Sequence, residues 1–327
     1  MMAANQRDRQ RVPGDWDVYW TGTHENAAHQ EGGPQEEVLE RFWLTFFAEN
    51  SADNCSRERQ RLLDMACGNG AVTGFASRGI ADFHSFCLDT SVNALLELGK
   101  RYPETICITA DALHTPFLSN SFDLVVSQFG IEYAGIDTFD EAARLLAPGG
   151  SFGAVIHLHE GAIYRECSDN LNAINAIMQS RLLKLARNTF SAGFALNAGT
   201  GSVKAFKTAE RKLKPAVRAL ESMLQEMGSN VAAGLAQQLH EDIAYMYKRM
   251  GAFDKREVIS WLDGMVKELR AYRGRMTSMM SSAVDKDAMK AIKQNLETKG
   301  LVQQRCETLG MGPEQQPAAW VIVCKKH

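Results

Sequence analysis

Residues 61–74 read Arg-Leu-Leu-Asp-Met-Ala-Cys-Gly-Asn-Gly-Ala-Val-Thr-Gly, a short apolar run carrying Asp64 and then a turn in which Gly68 and Gly70 precede a helical pattern. A strand, a tight glycine turn and a helix N-terminus follow from that order. Lacking Cβ atoms, the glycines let the backbone approach a ligand closely, and the unpaired N–H groups at a helix start can face it. A nucleotide-type ligand needs such an approach.

On either side of this turn, residues 60–160 alternate short apolar runs with helical spacing. Strands are expected at Leu62–Met65, Phe83–Leu88, Ile106–Thr109, Phe122–Ser127 and Phe152–His157. Helices are expected at Val72–Arg78, Val92–Arg101 and Phe139–Leu146, the last two stopped by Pro103 and by Pro148-Gly149-Gly150. Such alternation describes βαβ units building a parallel sheet covered on both faces. Beyond Glu160 the pattern turns helical, with Leu171–Arg187, Pro215–Met227, Ala232–Met250 and Glu257–Met280 reading as amphipathic helices. Asp285–Thr298 is a further helix, and Leu301–Leu309 with Ala318–Cys324 read as an antiparallel strand pair.

In an open parallel sheet, ligands bind beyond the carboxyl ends of the strands. Those ends carry Asp64, Asp89, Asp111, Ser127-Gln128 and His157. Asp89 lies about twenty residues past the glycine turn, where a carboxylate can accept both hydroxyls of a ribose. Asp111 is suited to accept from an adenine amino group. One such Asp is commonly only a turn former, whereas their joint placement points to a nucleoside site. A nicotinamide-type fingerprint is not met, because the third glycine, Gly74, falls one residue late.

Composition narrows the class. The 327 residues hold 45% hydrophobic side chains and a formal charge of −3, which indicates neither a nucleic-acid binder nor a membrane protein. No apolar run is long enough to span a bilayer, and Met1–Gln10 is too polar for a signal peptide. Seven scattered cysteines without a Cys-x-x-Cys pair indicate buried thiols in a cytoplasmic protein. His157-x-His159-Glu160 has metal-binding residue types but no further ligand nearby, so no metal is expected.

Residues 60–160 with 285–327 resemble the class I S-adenosylmethionine-dependent methyltransferases. Leu-Leu-Asp-Met-Ala-Cys-Gly-Asn-Gly resembles the first motif of that family, Cys-Leu-Asp-Thr-Ser its acidic second-strand motif, and Thr-Ala-Asp-Ala-Leu-His-Thr-Pro-Phe the third. Ser-Phe-Asp-Leu-Val-Val-Ser-Gln-Phe-Gly resembles the fourth, Leu-Leu-Ala-Pro-Gly-Gly-Ser-Phe the turn before the fifth strand, and the last two strands the reversed terminal hairpin. The resemblance implies an α/β fold: a seven-stranded, doubly wound, mostly parallel sheet with an antiparallel last strand. The helical stretch is then a large insertion, or cap, between strands 5 and 6. It also implies S-adenosyl-L-methionine as cofactor. Asp64, Gly68 and Gly70 would surround its methionine end, Asp89 with Thr90 its ribose, and Asp111 with Ala112 its adenine. Ser127, Gln128 and Phe129 would line the floor beneath the sulfonium. Ala66 departs from the pattern, standing where many members have glycine.

Methyl transfer is an in-line displacement, for which alignment and exclusion of water do most of the work, and a base is needed only for an acceptor that sheds a proton. His157 and Tyr133 are the candidates to orient or deprotonate the acceptor, with His157 and His159 sharing one face by strand alternation. His159, Glu132, Tyr19 and Trp20 are candidate acceptor contacts. The expected organisation is an N-terminal segment over 1–35, partly disordered, with Trp16, Tyr19 and Trp20 covering the site. A core over 36–160 and 285–327 and a helical lid over 161–284 complete it. Residues 160–299 hold 22 Lys and Arg against 15 Asp and Glu, and ten of the fourteen methionines. An adaptable apolar lid over a largely apolar metabolite, acidic or neutral, is the leading reading, with a homodimer through the insertion as one arrangement. The dense basic run Lys204, Lys207, Arg211, Lys212, Lys214 and Arg218 leaves open a macromolecular acceptor, protein or RNA, although no interleaved aromatics support RNA. A non-catalytic scaffold that only binds the cofactor is the third alternative.

Overall fold

Consecutive rather than alternating burial marks the central strands. Leu62, Leu63, Asp64 and Met65 are all buried in β1 (Gln60–Met65), as are Leu124 to Ser127 in β4 (Phe122–Gln128). That is the signature of a sheet covered on both faces. A computed structural model describes residues 34–51, 59–79 and 82–327, which divide into two units. One comprises residues up to Arg165 together with Ser278–His327, the other Glu166–Thr277.

The first unit is built on a seven-stranded sheet in the order β3-β2-β1-β4-β5-β7-β6. β2 (Phe83–Asp89) and β3 (Ile106–Thr109) lie on one side of β1, while β4 and β5 (Leu146–His157) lie on the other, all five parallel. β7 (Gln316–Lys326) runs antiparallel to both β5 and β6 (Leu301–Met311), so it is the reversed strand the sequence leads one to expect. Strand order reverses between β1 and β4, which opens the crevice used by ligands in such sheets. α1 (Pro34–Asn50) packs its Trp43, Phe46 and Phe47 inward. Gly153 of β5 makes room for it, since a Cβ there would lie 2.7 Å from the Phe46 ring. Around the sheet stand α2 (Ala71–Arg78), α3 (Val92–Arg101) and α4 (Thr138–Leu145).

Pro148-Gly149-Gly150, expected as a turn that stops short of the fifth strand, lies inside β5. Leu146 already pairs with Phe122, and the register then shifts so that Ser151 meets Leu124. The exposed Pro148 and Gly149 take up the extra length, Gly149 in a left-handed conformation at φ 78°. A local breaker is absorbed as an irregularity because the ladder holds on both sides of it.

The second unit is helical. The expected single helix over Leu171–Arg187 is two: α5 (Ala162–Gln179), which starts within the first unit, and α6 (Leu182–Asn197). Arg181 sits between them at φ 56°, and the Ser180 hydroxyl accepts from the Leu182 N–H. Pro215 does not open a helix either. It lies inside α7 (Val203–Met227), whose true start is the Ser202 cap accepting from Ala205 N–H at 3.2 Å. All six cations of the basic run are exposed on α7, while Leu213, Ala216 and Leu220 are buried. α8 (Leu235–Lys248) and α9 (Lys255–Ser282) follow, and Met246, Met250, Met265 and Met276 are buried. α9 leads back into the first unit, where Asp285 caps α10 (Lys286–Thr298). Among the described residues no helix is long and apolar enough to cross a membrane.

Candidate functional site

The turn after β1 is held in a conformation its sequence only partly anticipates. Ala66, Gly68 and Gly70 all have left-handed φ, at 52°, 53° and 87°. For Ala66 this costs about 1–2 kcal/mol that glycine would avoid, which gives the departure at this position a physical price. At Gly70, φ 87° strains any side chain, and a Cβ there would lie 2.7 Å from Leu98. Asp89, at the end of β2, holds the turn: its Oδ2 accepts from Gly68 N–H and its Oδ1 from Ser91 N–H, both at 2.8 Å. Thr90 beside it is exposed. Asp111 accepts from Leu113 N–H at 2.9 Å, and Ala112 next to it is buried.

Asp64 is almost wholly buried. Its Oδ2 accepts from the Thr73 hydroxyl at 2.8 Å and the Thr73 N–H at 3.2 Å, whereas its Oδ1 has no partner among the described residues. Burial pushes its pKa up to about 7, against the Thr73 hydrogen bonds and with a small push from Asp89. Asn69 Nδ2, in the same turn, is also buried and unpaired. An unpaired acceptor and an unpaired donor at a backbone turn suit a ligand bearing both an ammonium and a carboxylate. The amino-acid end of S-adenosylmethionine is such a group, so these residues fit the cofactor. Thr73, Asn69 and Gly130 were not singled out by sequence reasoning. The glycine after Phe129 was the signal for Gly130, since its Cβ would lie 2.6 Å from Ala66 O.

The segment after β4 differs from the expected floor in how its side chains are used. Ser127 donates to Met65 O at 2.7 Å and accepts from Ile131 N–H at 3.2 Å, tying the two strand ends together. Gln128 Oε1 accepts from Trp43 Nε1–H at 2.6 Å. Phe129, at φ 49°, places its ring 4.5 Å from that of His157.

His157 closes β5 and is 2% exposed. Glu132, in a 3-10 turn over Ile131–Ala134, accepts from the His157 backbone N–H at 3.1 Å and lies 2.7 Å from Nδ1. Glu132 thus spends one carboxylate oxygen on His157. Among the described residues, its Oε2 and His157 Nε2 are both buried without partners. The Tyr133 ring stands edge-on to His157 at 5.6 Å. His157 and His159, expected on one face, have different side-chain neighbours. The strand stops at His157, Leu158 makes a single bridge to Val284, and His159 and Glu160 turn away, Glu160 at φ 59°. The His159 ring packs at 4.6 Å from Tyr164 instead. Tyr19, Trp20 and Trp16 lie outside the described residues. Among those described, no group of three or more His, Cys, Asp or Glu is placed to hold a metal ion.

Known proteins similar to this chain include methyltransferases. Residues 63–154 match the family described as "Methyltransferase domain". Over 103 residues the chain is 35% identical to the ubiquinone/menaquinone biosynthesis C-methyltransferase UbiE of Ruegeria sp. (strain TM1040), covering 29% of this chain and 41% of that protein. Over 99 residues it is 31% identical to the demethylmenaquinone methyltransferase of Beutenbergia cavernae, covering 29% and 40%. The chain therefore spans about two-fifths of the length of these curated relatives. A structure of an S-adenosylmethionine-dependent methyltransferase from Aquifex aeolicus aligns with 95% of this chain and 98% of its own, at 8% identity and a TM-score of 0.44. With the family match over residues 63–154, the glycine turn, the strand-end acids and the sheet order give the first unit the fold of the class I S-adenosylmethionine-dependent methyltransferases.

Proposed function

We propose that this protein transfers a methyl group from S-adenosylmethionine to a small, largely apolar acceptor. The observation that carries this reading is the buried, unpaired Asp64 Oδ1 beside the left-handed glycine turn, at the point where strand order reverses. Asp64 and Asn69 would hold the amino-acid end of the donor, Asp89 the ribose, and Asp111 with Ala112 the adenine. When bound, the donor supplies an activated methyl group. The chain's own residues orient the acceptor and exclude water, which is where most of the rate comes from in such a displacement. The relatives named for quinone biosynthesis favour an aromatic, quinone-like acceptor. The segment after α9 pairs with the end of β5 through a bridge between Leu158 and Val284. There Val284 N–H donates to His157 O at 2.8 Å and His159 N–H to Val284 O at 3.0 Å.

Calorimetry with S-adenosylmethionine and with S-adenosylhomocysteine tests the reading. Folded protein is expected to bind both, and Asp89→Ala to weaken both by about tenfold or more, since it loses a ligand contact and releases the turn at Gly68. No heat of binding from well-folded protein would refute it. The exposed cations of α7 favour a second reading, an anionic macromolecular acceptor. Salt-sensitive RNA binding that is lost on neutralising Lys212 and Lys214 would support that one.

A further inference from the structure

Resting on the methyl-transfer reading, we propose that Glu132 is a positioning residue: it keeps the His157 proton on Nδ1 and leaves Nε2 to take one, so that the acceptor is a proton-bearing nucleophile such as a phenol, enol or acidic C–H carbon.

A carboxylate offers only acceptors, so the 2.7 Å contact to Glu132 Oε1 puts the imidazole proton on Nδ1. The same oxygen takes the His157 backbone N–H at 3.1 Å, which fixes Glu132 to the strand that carries the ring. Phe129 at 4.5 Å and Tyr133 at 5.6 Å hold the imidazole plane. The pair also adjoins the donor turn through a short path, since Gly130, next to Phe129, packs directly on Ala66.

As a packing device the pair is poorly made. Leaving a buried acceptor such as Nε2 unpaired costs about 1–3 kcal/mol, and a buried carboxylate costs more unless a cation faces it. Both costs are recovered during proton transfer. Nε2 takes the acceptor's proton, and the electron pair freed on the acceptor forms the bond to the methyl carbon. The pair of the methyl–sulfur bond remains on sulfur, which becomes a neutral thioether. Positive charge thereby passes from sulfur to the imidazolium, where Glu132 already lies in contact.

Nitrogen NMR of protein labelled at histidine, with His157 assigned by loss of its signal in His157→Gln, reads the proton position directly. A neutral ring protonated at Nδ1 is expected, changing toward the Nε2-protonated form in Glu132→Ala. Finding the wild-type proton on Nε2, or a ring already charged at neutral pH, would overturn the proposal. The kinetic arm pairs 1,4-dihydroxynaphthalene with quinoline, a ring of the same size whose nitrogen has no proton to lose. Wild type is expected to methylate the diol, with kcat falling about 100-fold in Glu132→Gln and His157→Gln while KM and donor binding stay within about threefold. Unchanged kcat, equal turnover of quinoline, or donor binding without turnover of the diol would each defeat it. A folded protein that binds no donor defeats instead the methyl-transfer reading beneath it, whatever the imidazole shows.

Discussion

Replacing Asp64 by Asn tests whether the donor turn is strained by its own chemistry. Asn keeps an oxygen for the two Thr73 contacts, at 2.8 and 3.2 Å, while an amide that neither ionises nor accepts takes the place of Oδ1. In the folded protein the Asp64 carboxyl titrates at about 7, against 3.8 when solvated, because burial disfavours its charged form. The unfolded chain therefore gives up this proton first. Between about pH 4 and pH 7 the folded state binds the extra proton, so stability falls as pH rises, and above about pH 7 the loss is complete. A rise from 3.8 to about 7 corresponds to about 4 kcal/mol in total. Roughly 3 kcal/mol of that falls between about pH 5 and pH 8.5, a range in which most proteins stay soluble. Urea unfolding of cofactor-free wild type and Asp64→Asn across that range should show the variant gaining on wild type by roughly 3 kcal/mol as pH rises. Donor binding should weaken in the variant at the same time, because the buried acceptor for the ammonium is lost. Parallel stability curves would refute the reasoning: Asp64 would then be ionised in the folded state at no cost, and its unpaired oxygen would not indicate a cation site.

Gly130→Ala would place a methyl group 2.6 Å from Ala66 O and 2.8 Å from Ala66 Cβ, in a turn that already holds Ala66 at positive φ. Overpacking of this kind costs about 1–3 kcal/mol, and calorimetry should show weaker donor binding alongside a lower urea midpoint. Unaltered donor binding would mean that the turn and the segment after β4 are not mechanically linked. Asp285→Ala removes the side chain that accepts from Ala288 N–H at 2.7 Å and should cost about 1 kcal/mol in denaturant unfolding. Donor affinity should be unchanged, because the Asp285 side chain bonds only to the Ala288 N–H of its own helix and to none of the residues placed against the donor.

Much of the first unit was legible because its signals are local. Apart from the start of β5, the strand ends, the helix starts near Val92 and Asp285 and the glycine turn each depend on a few adjacent residues, and the structure keeps them within a residue or two. The helical unit was less legible. Periodicity ran across Ser180-Arg181, where a left-handed residue breaks the helix, and Pro215 looked like a start because proline is unfavourable inside a helix. In both places packing over many turns outweighed a local preference of a few kcal/mol.

The sequence by itself determined the class of sheet, the position of the donor turn and the row of acids at the strand ends, since these follow from short-range spacing. Only the tertiary structure decided what those side chains do. The pairing of Gln128 with Val155 sets β4 beside β5, so that Glu132 and His157, 25 residues apart in the chain, meet in a buried contact. The same folding closes water away from Asp64 and spends Ser127 and Gln128 on the scaffold. Burial and cross-strand register depend on the whole assembly at once, so no local window of residues contains them.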